Sequence, residues 1–146
     1  MIEFIDAISK HLDEIFDGEY PVYLESVEQG LKVPCFFINP IYSSDRNMIS
    51  NRKYRLYDFD IIFIPDEDKT PKDTLVKIAD TLFGSFDQLE VEEGVVIPSF
   101  ERRIDIVDDI LHFKVVFQYY YYTEKPKEPI QDTLEGGVIV DGQKKE

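Results

Sequence analysis

The clearest pattern in the chain is the alternation of residues 111–122, which predicts a long β-strand with one continuously apolar face. That face carries Leu111, Phe113, Val115, Phe117, Tyr119 and Tyr121. The opposite face changes from polar to aromatic along the strand: His112, Lys114, Val116, Gln118, Tyr120 and Tyr122. Tyrosines gathered at one end of an outer face favour a contact there, such as a neighbouring subunit.

Two segments have the spacing of amphipathic helices. Residues 2–16 place Ile5, Ile8, Leu12, Ile15 and Phe16 on one stripe, and this helix is predicted to end near Gly18. A second helix is predicted to begin after Thr70 as its N-cap, with Pro71 at the first helical position. Its buried stripe consists of Leu75, Ile78, Ala79, Leu82, Phe83 and Phe86.

The remaining apolar runs predict strands. Their ranges are 21–25, 35–43, 53–64, 89–97, 100–107 and 111–122. The second and third of these form a hairpin, and the segment 43–52 between them is polar and rich in turn-forming residues. It is too long for a tight turn, so we expect a projecting, mobile tip that exposes Met48 and Ile49.

The order of elements predicts an α+β fold. We expect a mostly antiparallel sheet with two helices packed on one face, a long projecting hairpin and an extended C-terminal tail. Residues 1–122 form the single domain, and residues 123–146, which contain Pro126, Pro129 and many charges, form the tail.

Composition narrows the possible partners. The chain has 146 residues, 43% of them hydrophobic, and a net charge of −14. Such acidity disfavours sequence-specific binding of nucleic acid and binding to anionic membranes. Its role is either to keep the protein soluble or to form a surface that repels DNA. The single cysteine, Cys35, allows no internal disulfide and favours a reducing compartment. We expect no secretion signal and no membrane span, because the N-terminus is acidic and no apolar run reaches about 18 residues.

Few residues suggest catalysis. The only histidines, His11 and His112, have no identifiable nucleophile beside them, and the composition lacks the ligands of a zinc site. The glycines form no phosphate-binding loop. We therefore expect no cofactor, no metal and no enzymatic activity.

One segment is compatible with a different hypothesis. Residues 65–69 (PDEDK) contain the acidic residues and lysine found in the metal site of restriction-type nucleases, although here they fall within one loop before the second helix. The alternative is a solvated turn whose acids favour the helix N-terminus. A second cluster, Asp105, Asp108 and Asp109, lacks the spacing of a calcium loop, and Asp108–Asp109 is predicted to form a turn.

Basic residues collect near the predicted hairpin tip. Arg46, Arg52, Lys53 and Arg55 are four of the 16 lysines and arginines of a strongly acidic chain. They form either a solvated loop or a basic finger that reaches an acidic surface, such as that of a second copy. Head-to-tail pairing of unlike patches can close into a ring.

Several sequence segments together resemble a known family. They are YPVYLESVEQGLKVPCFFI (20–38), RLYDFDIIF (55–63), DILHFKVVFQYYY (109–121) and KPKEPIQ (125–131). These segments, in this order after an amphipathic helix, resemble the tail terminator proteins of long-tailed bacteriophages and of phage-like tail particles in Gram-positive bacteria. The likeness extends to about residue 132.

The resemblance implies a structural protein that forms a ring, usually hexameric. Such a ring caps the head-proximal end of the tail tube, stops tube polymerisation, and joins the sheath of contractile tails or the head. The implied partners are therefore further copies of the chain, the tail tube protein, and the sheath or head–tail connector. It also implies assembly in the bacterial cytoplasm followed by incorporation into the virion or tail particle.

The family supplies no catalytic motif, so the interface residues are chosen from the pattern alone. They are Arg46, Met48, Ile49, Arg52, Lys53, Arg55, Tyr120 and Tyr122. The alternatives left open are a head–tail connector, a metal-dependent nuclease that depends on Asp66, and a host regulator.

Overall fold

The computed structural model describes residues 1–24 and 30–123. Its elements are α1 (Ile2–Ile15), β1 (Val22–Tyr23), β2 (Cys35–Asn47), β3 (Arg52–Ile64), α2 (Lys72–Ser85), β4 (Gln88–Glu92), β5 (Val95–Val107) and β6 (Ile110–Tyr122). The predicted tail beyond Thr123, and the predicted end of the first strand at Glu25, lie outside the described residues.

The strands form one six-stranded sheet in the order β1-β2-β3-β6-β5-β4. Among the strands of residues 1–24 and 30–123, only the short pair of β1 with β2 is parallel, and every other pair is antiparallel. The α+β prediction is therefore confirmed, including the long hairpin of β2 and β3.

Both helices bury their apolar stripes against the same side of the sheet. The largest fully buried side chains from the strands are Phe36, Ile38, Phe59, Ile61, Phe63, Leu89, Phe113 and Phe117. From α1 come Ile8 and Leu12, and Leu82 comes from α2. Each large apolar side chain removed from water stabilises the fold by about 1.5–3 kcal/mol, so this layer between helices and sheet holds the domain together.

The predicted loop at 43–52 is wrong. β2 continues to Asn47, which pairs with Lys53, and the connection is a tight turn in which Ser50 and Asn51 have φ of 62° and 63°. The turn-forming residues of β2 are accepted because their cross-strand neighbours suit them: Asp45 lies opposite Arg55, with an ion-pair distance of 2.9 Å.

The predicted strands 89–97 and 100–107 also need correction. A turn at Glu93–Gly94, with a φ of 81° at Gly94, separates β4 from β5, and β5 runs without a break to Val107. Pro98 does not end β5, because it lies where the strand changes partner. Residues 95–98 pair with β4, and pairing with β6 begins at Ser99.

The start of α2 differs in a similar way. The helix begins at Lys72 with Pro71 as its N-cap, and no side chain in the described part of the chain caps it. The hydroxyl of Thr70 instead accepts a hydrogen bond from the backbone N–H of Asp66 at 2.9 Å, so it is not available to the helix. Phe83, predicted to be buried, is 40% exposed at the margin of the core.

Candidate interaction surface

One end of the sheet is a three-stranded ribbon, which we call the arm. It consists of residues 42–47 of β2, 52–57 of β3 and 117–122 of β6, joined at the tip by the turn 48–51. In this region β3 is the central strand, and β2 and β6 pair with it on either side. Residues directly opposite in antiparallel pairs share a face, so the arm has an outer face and a face on the helix side.

The outer face of the arm is aromatic and basic. Arg46, Tyr54 and Tyr120 form one cross-strand row. The rings of Tyr54 and Tyr120 lie 4.9 Å apart, and the guanidinium of Arg52 lies 3.9 Å from the centroid of Tyr120. Such cation–π contacts fix the arginine while its ring partner stays open to solvent. Tyr120 and Tyr122 are 50% and 72% exposed, so this face offers apolar area to a partner.

The helix-side face holds a closed polar network around Arg55. Its guanidinium donates to Asp45 at 2.9 Å, to the hydroxyl of Tyr57 at 2.8 Å and to the hydroxyl of Tyr121. Tyr121 in turn donates to Asp45 at 3.0 Å. The hydrogen bond from Arg55 lowers the pKa of Asp45, and the same bond raises the pKa of Arg55. Burial raises the pKa of nearby Tyr119 to about 12. This network ties the three strands together.

The tip exposes apolar side chains, as expected. Met48 is 42% exposed and Ile49 is 87% exposed. Large apolar side chains this open to water at the end of a ribbon are typical of contact sites, because a monomer gains nothing from them.

The four predicted basic residues do not form one finger. Arg46 and Arg52 lie on the outer face, whereas Lys53 and Arg55 lie on the helix side, because strand alternation separates neighbouring residues. Arg55 is moreover committed to Asp45 within the chain. The sequence analysis also missed Tyr54, although its period-two spacing with Leu56 and Asp58 marked the outer face.

The acidic segment 65–69 is a local turn. The carboxylate of Asp66 accepts a hydrogen bond from the N–H of Asp68 at 3.1 Å, and the carbonyl of Asp66 accepts bonds from Lys69 and Thr70 at 3.1 and 2.7 Å. Within residues 1–24 and 30–123, no group of three His, Cys, Asp or Glu side chains is placed to hold a metal ion.

The histidines have structural partners. Nε2 of His11 donates to the carbonyl of Ser85 at 2.6 Å, which ties α1 to the end of α2. Nδ1 of His112 lies 2.9 Å from Oδ2 of the buried Asp60, on the outer side of the sheet. Asp108 and Asp109 form the turn between β5 and β6, as predicted, with φ of 51° and 64°.

In the described part of the chain, neither helix has the length and apolarity needed to cross a membrane.

A family model described as phage tail terminator protein matches residues 3–129. The chain belongs to the phage tail terminator family. The match covers all but the first residue of α1 and every later described element to β6, and it confirms the resemblance seen in the sequence. A search of curated proteins found no match.

Membership of the tail terminator family makes the chain a structural protein of phage tails. The arm of this tail terminator fold exposes aromatic and apolar side chains together at one end of the sheet, namely Tyr42, Met48, Ile49, Tyr120 and Tyr122. The arm is therefore the candidate surface for assembly.

Proposed function

We propose that the chain forms a homo-oligomeric ring, a hexamer, that caps the head-proximal end of a phage or phage-like tail tube. The ring stops tube polymerisation and provides the surface that joins the sheath, the head–tail connector or both. It assembles in the bacterial cytoplasm, becomes part of the particle, and acts without enzymatic chemistry. The observation that carries this proposal is the family match over residues 3–129.

The surface of the arm supports assembly. A chain with a net charge of −14 keeps its copies apart by repulsion, so association needs apolar contact to overcome it. Met48, Ile49, Tyr120 and Tyr122 supply such contact at one end of the molecule. Aromatic and arginine side chains are also the types enriched at the centres of interfaces.

The proposed contact residues follow from this placement. They are Arg46, Met48, Ile49, Arg52, Lys53, Tyr120 and Tyr122, with Arg55 as the residue that holds the arm in shape. Partners are further copies of the chain and the tail tube protein.

The test is to delete the gene and measure tail lengths by negative-stain electron microscopy. Tails of uncontrolled length, or tails that fail to join heads, are the expected result, and normal tails of normal length would overturn the proposal. Complementation with Arg46→Glu should restore length control poorly, since it reverses a charge on the arm. Lys77→Glu makes the same charge change on exposed α2, outside the proposed contact, and should restore length control better than Arg46→Glu does.

Two further measurements separate the alternatives. A purified ring that binds tail tube but not portal separates a terminator from a head–tail connector. Asp66→Ala should leave tail length unchanged, whereas a metal-dependent nuclease would lose its activity.

A further inference from the structure

Two strand edges of the arm have no partner within residues 1–24 and 30–123. Among the described strands, β1 pairs with β2 only at Phe36 and Phe37, and no other described strand pairs with that side of β2 from there to the tip. β5 pairs with β6 only as far as Phe117, so residues 118–122 of β6 pair with β3 alone. A cleft of about 440 Å³ opens beside this part of β6, where β5 turns away.

The β2 edge carries Pro40 and a bulge between Pro40 and Tyr42 at its end away from the tip, and neither feature recurs nearer the tip. Proteins commonly protect a free edge with proline or lysine, because unpaired N–H and C=O groups otherwise recruit another strand. Beyond that bulge, neither 42–47 (YSSDRN) nor 118–122 (QYYYY) contains proline or lysine. Edges of this kind are expected to be covered in the working state of the protein.

The two edges match one another in height and direction. Ser44, Leu56 and Gln118 form one cross-strand row, so the β2 edge and the β6 edge lie level on opposite sides of the arm. Both strands are antiparallel to β3, so both run towards the tip. Rotation about a ring axis leaves unchanged the direction of an arm that lies along that axis, so neighbouring arms stay parallel and one edge of each type meets.

The side chains are complementary as well. The β2 edge presents Arg46 on the outer face, and the β6 edge presents Tyr120 and Tyr122 on the same face. Within one chain, Arg52 already packs over Tyr120 at 3.9 Å. An arginine beside this tyrosine pair from a second copy would continue the same cation–aromatic pattern.

We propose that residues 42–47 of β2 in one copy pair with residues 118–122 of β6 in the next copy, as parallel strands. This inference rests on the ring proposed above and names the surface that closes it. The contact is head-to-tail, so each copy uses both edges and none is left over in a closed ring. A pairing of β2 with β2 would be antiparallel and would stop at a dimer.

Engineered cysteines in the full chain test the contact. Ser44 and Gln118 flank β3, and two strand spacings separate them by about 9.5 Å, whereas a disulfide requires Cα atoms within about 7 Å. A disulfide in Ser44→Cys/Gln118→Cys therefore forms only between copies. The native Cys35 is fully buried and serves as an internal control.

Direction is read by moving the cysteine along β2. A cysteine at position 44, or in a second series at position 46, is combined with a cysteine at 118, 120 or 122. Each double variant is oxidised over a range of protein concentrations, and the disulfide yields are compared. In parallel pairing, a cysteine at 44 that prefers 118 or 120 gives way to one at 46 that prefers the position two residues closer to 122. In antiparallel pairing the preferred partner moves towards 118.

The expected result is a ladder of covalent oligomers on non-reducing gels from the double variants and none from the single variants. Cross-linking of single variants, a partner that shifts towards 118, or monomer alone at every concentration would overturn the edge pairing. Tail length is read separately. If the gene deletion gives tails of uncontrolled length but no cross-link forms, the edge pairing fails and the capping proposal stands. If the cross-link forms but the deletion strain makes tails of normal length, the capping proposal fails and the edge pairing stands.

Discussion

At the scale of single residues, the fold depends on phenylalanines whose depth differs sharply. Phe113 is fully buried at the centre of the sheet, while Phe83, with its ring 6.1 Å away, is 40% exposed. We expect Phe113→Ala to lower the free energy of unfolding by about 3–5 kcal/mol through transfer and cavity costs. Phe83→Ala, as the matched control, should cost much less in urea denaturation. Equal losses would contradict the described core.

Asp45 gives the arm a predictable response to acid. Its folded pKa is lowered by the hydrogen bond from Arg55, so the folded state favours the ionised carboxylate. A lowered folded pKa contributes stability above the unfolded value of about 3.9, and this is lost as the pH falls through the folded pKa. The Arg55–Asp45 pair therefore stabilises the protein at neutral pH and not in strong acid.

The measurement compares wild type with Asp45→Asn. Wild type should be more stable in urea at neutral pH, and the difference should disappear below the lowered pKa of Asp45. Asp73→Asn, which breaks an exposed pair with Lys77 on α2, controls for loss of one negative charge. A difference that persists in acid would mean that the Asp45 carboxylate is not the cause.

At the scale of elements, the turn between β5 and β6 holds two residues in a strained backbone conformation that a glycine would relieve. Asp108 and Asp109 both have positive φ, a conformation that costs a non-glycine residue about 1 kcal/mol or slightly more. Asp109→Gly should therefore raise the free energy of unfolding by about 1 kcal/mol. Gly94→Ala should lower it by a similar amount, because the φ at Gly94 is 81° although no atom would touch the new Cβ.

Thermal melts of the two turn variants provide the check, since both turns are solvent-exposed and the changes add no core contact. Shifts in opposite directions are expected. A destabilised Asp109→Gly would indicate that the Asp109 side chain makes a contact more valuable than the strain it causes.

The same elements show what a sequence can and cannot predict. The alternation of residues 111–122 and the stripes of α1 and α2 follow from burial on one face, so these elements were predictable. The arm was not, because Ser43 to Asn47 are turn formers by local preference and become a strand only opposite Arg55 and its neighbours. Likewise, Pro98 reads as a strand break unless the change of partner along β5 is known.

At the scale of the whole molecule, the candidate surface was only half predictable. Exposed Met48 and Ile49 and the tyrosine-rich end of β6 were evident from polarity and alternation. The separation of Arg46 and Arg52 from Lys53 and Arg55 depends on pairing register, which no local pattern fixes. The basic residues therefore act on two different faces.

The net charge of −14 makes assembly sensitive to salt in a direction that tests the kind of contact. If backbone pairing and aromatic packing join the copies, charge repulsion is the main opposing term, and salt should strengthen association. Between about 0.01 M and 0.15 M salt, the screening length falls from about 30 Å to about 8 Å. Sedimentation velocity at matched protein concentration should therefore show more oligomer at the higher salt.

Charge variants separate the effect of general repulsion between the acidic copies from the effect of contacts at the arm. Lys77→Glu adds negative charge far from the arm, so it should weaken association at low salt and recover at high salt. Arg46→Glu makes the same charge change beside the tyrosines of the proposed neighbour, so part of its loss should persist at high salt, where repulsion is screened. If association of the wild type instead falls as salt rises, attraction between the basic residues of the arm and acidic surface of the next copy holds the ring together. The unpaired edges of β2 and β6 would then be secondary.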